Sequence, residues 1–324
     1  MAAATTPTAA ARRSAFLLLA ASIAIGSVSF TLVQVALEEL SPLTLATGRV
    51  VVSALMFTIV IVRSPWRRTP VLPGDRVRLF LCGFGGSAVF HLLFNWGQHQ
   101  VSVAVAAVMM ATYPILTAMG EVVFLRHRLH RAQVAGLALS TAGCVLIGVT
   151  SGGTGGDLAV LGAVVVLLAA ITWAAVTVAT RSIGHRYDSW WLNTPGTVAG
   201  ALVMLLLDIP RLDEFADLSW KGWLAVIWLG SASSAFIYYS MARVMTVVSA
   251  TTATSISTVV TPLSVLVAWA VLGDPPTLVE VLGGAVVIAG VMLVVRNSDD
   301  ARGGVDDRTL RAVGESAVDL PHST

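Results

Sequence analysis

Ionisable side chains lie inside long apolar stretches of this 324-residue sequence, and Arg49, His91 and Glu121 are the ones considered first. Charged groups are costly within a bilayer, and those found there bind substrates, move protons or hold helices together. Arg49 lies about eight residues into its stretch, roughly 12 Å from the end of a helix. Its planar guanidinium could bind a carboxylate or a phosphate through two parallel hydrogen bonds. It could equally cap backbone carbonyls or pair within the protein, so both roles stay open.

Glu121 and His91 allow two roles each. Glu121 lies near the end of its stretch, where it could carry a coupling proton, form a gate, or pair with Arg126 or Arg128. His91, with Asn95 one helical turn later on the same side, could contact a substrate or relay protons. The alternative for His91 is a hydrogen-bonded histidine inside a helix bundle. We predict that Glu121 is a coupling or gate residue and that His91 and Asn95 belong to a cavity.

Two prolines, Pro114 and Pro262, each lie about midway along an apolar stretch. Proline leaves the carbonyl of the preceding helical turn without its amide partner, and in lipid that group must find a neighbour, water or a ligand. The alternative is a packed kink with local repair. Tyr238 and Tyr239 lie 148 residues after Phe90 and His91, which suggests that both segments line one cavity. The further side chains that we predict around it are Met109, Tyr113 and Ser257.

The composition predicts the helices that position these residues. The chain is 56% hydrophobic and 12% charged, with a mean hydropathy of +0.82, whereas soluble domains are about 25% charged. Apolar runs of roughly 20 residues, long enough to cross a bilayer, recur about ten times. We place them near 14–35, 41–62, 77–97, 102–125, 130–149, 158–180, 190–207, 222–242, 249–272 and 278–296. They leave no room for a soluble catalytic domain.

The two halves of the chain resemble each other. Residues 111–116 around Pro114 correspond to 259–264 around Pro262, and Gly136 and Gly143 recur 147 residues later as Gly283 and Gly290. Matching interruptions in two repeats point to the binding site of a transporter. Five spans per half is an odd number, so the second half enters the membrane from the other side. We therefore predict an all-α membrane protein whose ten transmembrane helices form two inverted five-helix repeats, 14–149 and 158–296, around a central cavity.

The charge distribution predicts the orientation. Most arginines, from Arg12 to Arg296, fall in one alternate set of loops, and acids such as Asp208 fall in the other set. The positive-inside rule then places both termini in the cytoplasm of a multi-pass inner-membrane protein, with disordered ends at 1–13 and 297–324. The paired glycines predict close helix packing, within the bundle or at a homodimer seam. We expect no metal site and no nucleic-acid partner.

The sequence resembles the EamA family of the drug/metabolite transporter superfamily. The resemblance rests on the segments 40–49, 106–148, 170–173 and 250–295. It implies ten helices, a central cavity that Trp173 helps to wall, and export or exchange of small metabolites without a cofactor or nucleotide hydrolysis. Two positions depart from the family pattern: Ile25 precedes Gly26 where tryptophan is frequent, and His127 replaces a usual glutamate.

The function that we predict is secondary transport. A small metabolite, an amino acid or another amphipathic compound, would be exported or exchanged by alternating access, with a proton as the candidate coupling ion. Uptake of a sugar or nucleotide precursor is the alternative within transport, and a membrane scaffold is the alternative outside it. An intramembrane enzyme is disfavoured because the sequence has no His-Glu-x-x-His, no Gly-x-Ser-x-Gly and no paired aspartates inside a span.

Overall fold

The computed structural model describes residues 9–126, 129–150, 157–273, 277–279 and 281–297, and nearly all of them are helical. Among these residues, eight helical stretches are long and apolar enough to cross a membrane, and two shorter apolar helices complete a set of ten. The first repeat contains α1 (Ala9–Ala36), α2 (Pro42–Arg63), α3 (Arg76–Phe84), α4 (Phe90–His99), α5 (Val103–Met110), α6 (Tyr113–Leu125) and α7 (Arg131–Thr150). The second contains α8 (Asp157–Ile183), α9 (Ser189–Asp208), α10 (Trp220–Trp228), α11 (Ile237–Val244), α12 (Ala250–Ser257), α13 (Val260–Leu272) and α14 (Val281–Asn297).

Helix starts in the two repeats are built alike. The N-cap of α2 is Ser41 and that of α9 is Asp188, and each side chain accepts a backbone N–H of the first turn. Ser102 and Ser249 cap α5 and α12 in the same way. Such caps satisfy backbone donors that have no partner within the helix. Each pair is separated by 147 residues, the same separation that relates the glycines.

Helix ends and interruptions repeat as well. The helices α6 and α13 end at Arg126 (φ 53°) and Gly273 (φ 80°), both in the left-handed conformation that commonly stops a helix. Segments of π-helix, Gly85–Val89 and Leu229–Phe236, join α3 to α4 and α10 to α11. The spans that carry the prolines break between α5 and α6 and between α12 and α13. The breaks occur there because a proline cannot continue the preceding helix but fits the first turn of the next one.

Glycine contacts show the inverted arrangement directly. A β-carbon at Gly136 would lie 2.6 Å from the carbonyl oxygen of Gly290, and one at Gly143 would lie 2.6 Å from that of Gly283. The later glycine of α7, Gly143, meets the earlier glycine of α14, Gly283, so α7 and α14 run antiparallel in close contact. These glycines therefore pack within one chain, as the bundle interpretation of the sequence expected, and their faces are not free to form a dimer seam.

Apolar clusters lie at both ends of the bundle. At the end where α1 begins, called here the amino-terminal end, Leu19 packs with Met241, Val244, Met245 and Val248. At the opposite end, a larger cluster includes Leu37, Leu40, Leu45, Phe94 and Leu229. The candidate site lies between these two clusters.

The structure differs from the sequence-based expectations at several positions. Residues 9–13, which we assigned to a disordered end, belong to α1 because three alanines and two arginines, all good helix formers, continue the helix backwards from the span. Asp208, which we placed in a loop, ends α9 and is fully buried, with its Oδ1 accepting the Thr44 hydroxyl at 3.1 Å. The predictions about 1–8, 298–324, His127 and Arg128 lie outside the described residues.

Candidate functional site

A cavity lies at half height between the two apolar clusters. A volume of ≈ 140 Å³ within it is open to the centre of a water molecule, which is room for several waters or a small ligand. Both repeats contribute to its walls. Six residues predicted from the sequence line it: Arg49, His91, Tyr113, Trp173, Tyr238 and Ser257.

Arg49 is a buried cation with few partners. Its side chain is 3% exposed, and its Nη1 donates to Oδ1 of Asn95 at 3.0 Å. Its Nε has no hydrogen-bond partner among the described residues, and neither has Nδ2 of Asn95. Arg49 also carries the one permanent charge among the described residues that line the cavity. Asn95 lies behind Arg49 and orients the guanidinium without lining the cavity itself.

The helix that carries Arg49 is held in place by close packing. Gly230, in the second π segment, lies against it, because a β-carbon there would come within 2.9 Å of the Arg49 carbonyl oxygen. Ser53, one turn later, donates to the carbonyls of Arg49 and Gly230 at 2.9 and 2.7 Å. The backbone at Arg49 is therefore fixed from both repeats.

His91 and Tyr238 occupy equivalent positions, 147 residues apart, and touch each other. His91 Nε2 lies 2.9 Å from the Tyr238 hydroxyl and 2.9 Å from the Ser234 hydroxyl. Those hydroxyls donate to the carbonyls of Gly86 and Leu229 respectively. With both hydroxyl protons used in this way, a neutral imidazole carries its hydrogen on Nε2, and its Nδ1 presents a lone pair. This Nδ1 is buried and has no partner among the described residues.

Aromatic rings form one continuous wall of the cavity. Phe30 meets Phe94 edge to face at 5.4 Å between ring centroids, and Phe94 stacks on Phe90 at 5.6 Å. Trp173 continues the series at 5.0 Å from Phe90 and 5.2 Å from Tyr238. A ligand in the cavity therefore meets an apolar surface near the Arg49 guanidinium.

The proline breaks bring the two interrupted spans together. The Tyr113 hydroxyl donates to the Thr254 carbonyl at 3.2 Å, and the Thr261 hydroxyl donates to the Ala107 carbonyl at 3.4 Å. Each span thus hydrogen-bonds to the first half of the other. Ser257 lines the cavity while its hydroxyl donates to Ala253 within its own helix at 2.9 Å.

The remaining predicted residues lie outside the lining. Pro114 is in the first turn of α6, and Pro262 is in the first turn of α13, where it packs against Gly284 of α14. Met109 lies beside the break, but the neighbouring Met110 lines the cavity instead. Tyr239 points to the other side of its helix and stacks on Trp190 at 4.6 Å.

Glu121 binds the start of a helix in the other repeat. Its carboxylate accepts the backbone N–H of Ala250 at 3.0 Å, and the N–H and hydroxyl of Thr251 at 2.8 and 2.5 Å. The side chain is 2% exposed. A carboxylate at a helix N-terminus gains both from the unpaired N–H groups and from the helix dipole. Glu121 therefore ties α6 to α12 at the amino-terminal end of the bundle.

Sequence reasoning missed the contribution of the first helix. Ser22, Gly26, Ser29 and Val33 of α1 line the cavity. Their spacing of three and four residues is that of one helix face, and small polar residues along such a face could have identified it. Among the described residues, no group of three His, Cys, Asp or Glu side chains is placed to hold a metal ion.

Comparison with known proteins matches both halves of the sequence to one family. The sequence matches the EamA-like transporter family at residues 13–149 and again at residues 160–296. The chain belongs to the EamA-like transporter family. It is therefore a multi-pass membrane transporter of the EamA-like family, with the lipid bilayer around it and a small molecule as its substrate.

Several relatives support this assignment. An uncharacterized transporter of Bacillus subtilis, YdfC, is 29% identical over 81% of this chain and 85% of its own length. A probable terminal-alkyne amino-acid exporter of Streptantibioticus cattleyicolor is 28% identical over 83% of this chain and 89% of its own length. A solved crystal structure that is 20% identical superimposes with a TM-score of 0.73 over 89% of this chain and 99% of that chain. This last likeness concerns the fold alone.

Proposed function

We propose that this EamA-like transporter exports or exchanges a small amphipathic carboxylate, with an amino acid as the leading candidate. The proposal rests on Arg49. Its guanidinium is buried at a cavity in the middle of the bundle, and the described residues that line this cavity include no carboxylate. A buried charge without a counter-charge costs several kcal/mol. A substrate carboxylate supplies that counter-charge and the bidentate hydrogen bonds that the guanidinium favours.

Two further features support an amino acid. The aromatic wall offers an apolar surface for a side chain, and the lone pair of His91 Nδ1 can accept a hydrogen bond from an ammonium group. A relative with 28% identity is named a probable terminal-alkyne amino-acid exporter, and an amino acid belongs to the substrate class proposed here. A sugar or nucleotide precursor fits less well, because the walls are mostly apolar and the cavity of ≈ 140 Å³ is small.

The transport mechanism in this proposal is alternating access across the bacterial inner membrane, with both termini cytoplasmic. Inverted repeats support it, because exchanging the conformations of the two halves turns an inward-open state into an outward-open one. Apolar clusters lie at both ends of the cavity, as two alternating barriers would. In this scheme Glu121 is the gate residue, which holds α12 against α6 at the amino-terminal end. Its role as a carrier of the coupling proton is the alternative.

The test is substrate exchange in proteoliposomes loaded with a panel of amino acids and other small acids. The Arg49→Gln change removes the bidentate charged contact, worth about 1.5–3 kcal/mol for a hydrogen bond to a charged group. We therefore expect kcat/KM to fall roughly 10- to 100-fold for carboxylates. Arg68→Gln, an exposed arginine at the amino-terminal end, is the matched control and should transport normally.

Folding must be separated from binding in this experiment. The elution volume and the thermal midpoint of Arg49→Gln in detergent should stay close to those of the wild type. A well-folded Arg49→Gln variant that transports carboxylates at the wild-type rate contradicts the proposal. A variant that is lost from the membrane shows that Arg49 is structural. In that case, Arg49→Lys keeps the charge without the bidentate geometry and becomes the informative change.

A further inference from the structure

Three cavities lie in series between the centre of the bundle and its amino-terminal end. The central cavity of ≈ 140 Å³ is followed by a small one of ≈ 20 Å³ and by one of ≈ 350 Å³ at the end of α8. The first and second share Trp173, Tyr238 and Met241 as walls. The second and third share Thr180 and Met245, together with Ala242. The shared walls place the three cavities next to one another along α8 and α11, and we call the three together the passage.

Movable side chains close this passage at both constrictions. At the inner one, Tyr238 is held by hydrogen bonds to His91 and to the Gly86 carbonyl. Gly86 lies in a π segment, where i→i+5 hydrogen bonding is frequently associated with functional sites. At the outer one, the Arg181 guanidinium reaches across from α8 to the Met245 carbonyl after the end of α11. Met241 and Met245 between them are flexible, unbranched side chains that adapt to what passes.

A second possible path from the central cavity to the amino-terminal end is more firmly closed. It runs between α6 and α12, where Glu121 accepts three hydrogen bonds from the start of α12. Opening it separates a buried carboxylate from all of its donors. Opening the passage along α8 and α11 needs rotations of Tyr238, the methionines and Arg181. Side-chain rotamer changes of this kind demand less of the backbone than the separation of two helices.

We propose that this passage is the route by which substrate moves between the central cavity and the amino-terminal side. Arg181, at the mouth of the passage, is a second binding position for the substrate carboxylate. The inference rests on the proposed function for the charge of the substrate, but the route itself does not. A cation at a narrow mouth raises the local concentration of an anion and its rate of entry. Arg181 is then a specificity-determining residue on the route, and Arg49 binds the same carboxylate at the centre.

The chain contains its own reporter for this route. Cys82 is 1% exposed and lines the middle cavity, whereas Cys144 is equally buried among apolar residues of the α7–α14 contact. The experiment uses full-length protein in sealed membrane vesicles of known orientation. Cys144→Ala leaves Cys82 as the one thiol, and Cys82→Ala leaves Cys144 as the matched control. The probes are the impermeant anion 2-sulfonatoethyl methanethiosulfonate and the neutral methyl methanethiosulfonate.

We expect the anionic probe to label Cys82 from the side that carries the N-terminus, and at least about tenfold faster than Cys144. Adding Arg181→Gln to the Cys82-only protein should slow the anionic probe about tenfold, the lower range of electrostatic steering. Labelling by the neutral probe should change less than about twofold, since charge does not steer it. Arg68→Gln, an arginine at the same end away from the passage, should change neither rate.

Three results overturn the inference. Cys82 that reacts no faster than Cys144 means that no passage opens there. If Cys82 reacts only with probe added on the side opposite the N-terminus, the route does not lead to the amino-terminal side. An Arg181→Gln change that slows both probes equally gives Arg181 a structural role. None of these results depends on the substrate assay, so a failure of the carboxylate proposal leaves a labelled Cys82 as evidence for the route, and a silent Cys82 leaves the Arg49 test intact.

Discussion

Arg49 and Glu121 are both buried charges, but their surroundings have opposite character. Glu121 accepts three hydrogen bonds, so its charge is compensated inside the protein. The Arg49 side chain has one neutral partner, Asn95, and its Nε has none among the described residues. A compensated charge stabilises the conformation in which it is found, and an uncompensated one invites a ligand. In the proposed function, Glu121 therefore holds one conformation and Arg49 binds the substrate.

The Glu121→Gln change tests the holding role. Glutamine keeps one oxygen acceptor but loses the negative charge and one acceptor, so the start of α12 keeps a donor without a partner. We expect the free energy of unfolding to fall by about 1–3 kcal/mol, the cost of an unsatisfied buried group. The measurement is the thermal midpoint in detergent. Glu38→Gln, an exposed carboxylate of the opposite end, is the control and should leave the midpoint unchanged. Equal midpoints for all three proteins would show that α12 does not depend on Glu121.

The sequence could identify these residues but not their partners. Arg49, His91 and Glu121 stood out as ionisable groups in apolar stretches. The donors for Glu121, Ala250 and Thr251, lie about 130 residues away in the chain and carry no feature that marks them as its partners. Tyr239 shows that the sequence could also assign a residue to the cavity that lies outside it. Its neighbour Tyr238 faces the cavity, and the helical rotation between adjacent residues turns Tyr239 towards Trp190.

At the scale of helices, close backbone approach is concentrated at glycines. In lipid there is little hydrophobic drive between helices, so they associate through van der Waals packing where small residues let backbones meet. Repetition at 147 residues for the glycines and 148 for the prolines made both features predictable, since both leave residue-type patterns in the sequence. The π segments were not predictable. An i→i+5 turn has no residue type of its own, and the apolar run continues through both segments.

Replacing Gly136 by alanine tests the α7–α14 contact. The new β-carbon would lie 2.6 Å from the Gly290 carbonyl oxygen, so the helices must separate. We expect a loss of about 1–3 kcal/mol in the free energy of unfolding, the usual cost of overpacking a close contact. Gly143→Ala should cost a similar amount, because Gly143 makes the equivalent contact with Gly283. The matched control is Gly74→Ala, where a β-carbon meets nothing within 4 Å. Stability equal to that of the control would mean that α7 and α14 do not pack through these glycines.

At the scale of the whole molecule, loop contacts at equivalent positions stabilise both ends of the bundle, by ion pairs at one end and by hydrogen bonds to carboxylates at the other. At the amino-terminal end they include ion pairs, Arg67 with Asp188 at 2.8 Å and Arg186 with Asp75 at 2.9 Å. The residues 147 positions away from Arg67 and from Arg186 are Glu214 and Glu39. These two carboxylates accept hydrogen bonds from the N-cap residues of α2 and α10 at the opposite end.

The opposite end should therefore loosen in acid. Ser219 donates its backbone N–H and its hydroxyl to Glu39 at 2.9 and 2.8 Å, and these two bonds lower the pKa of the Glu39 carboxyl below its ordinary value of about 4.5. Because the folded pKa is the lower one, the stabilisation is fully present above about pH 4.5 and is lost as the pH falls through the folded value.

Glu39→Gln, which cannot ionise, should therefore lower the unfolding midpoint near pH 7 and make progressively less difference below pH 4.5. Hydrogen exchange at the Gly222 amide, which the Ser219 hydroxyl caps, reports the same loosening locally. A gap between wild type and Glu39→Gln that stays constant from pH 7 to pH 3 would show that the contact is not maintained by the ionised carboxylate. In that event the opposite end would be held by its apolar cluster, and acid would not favour its opening.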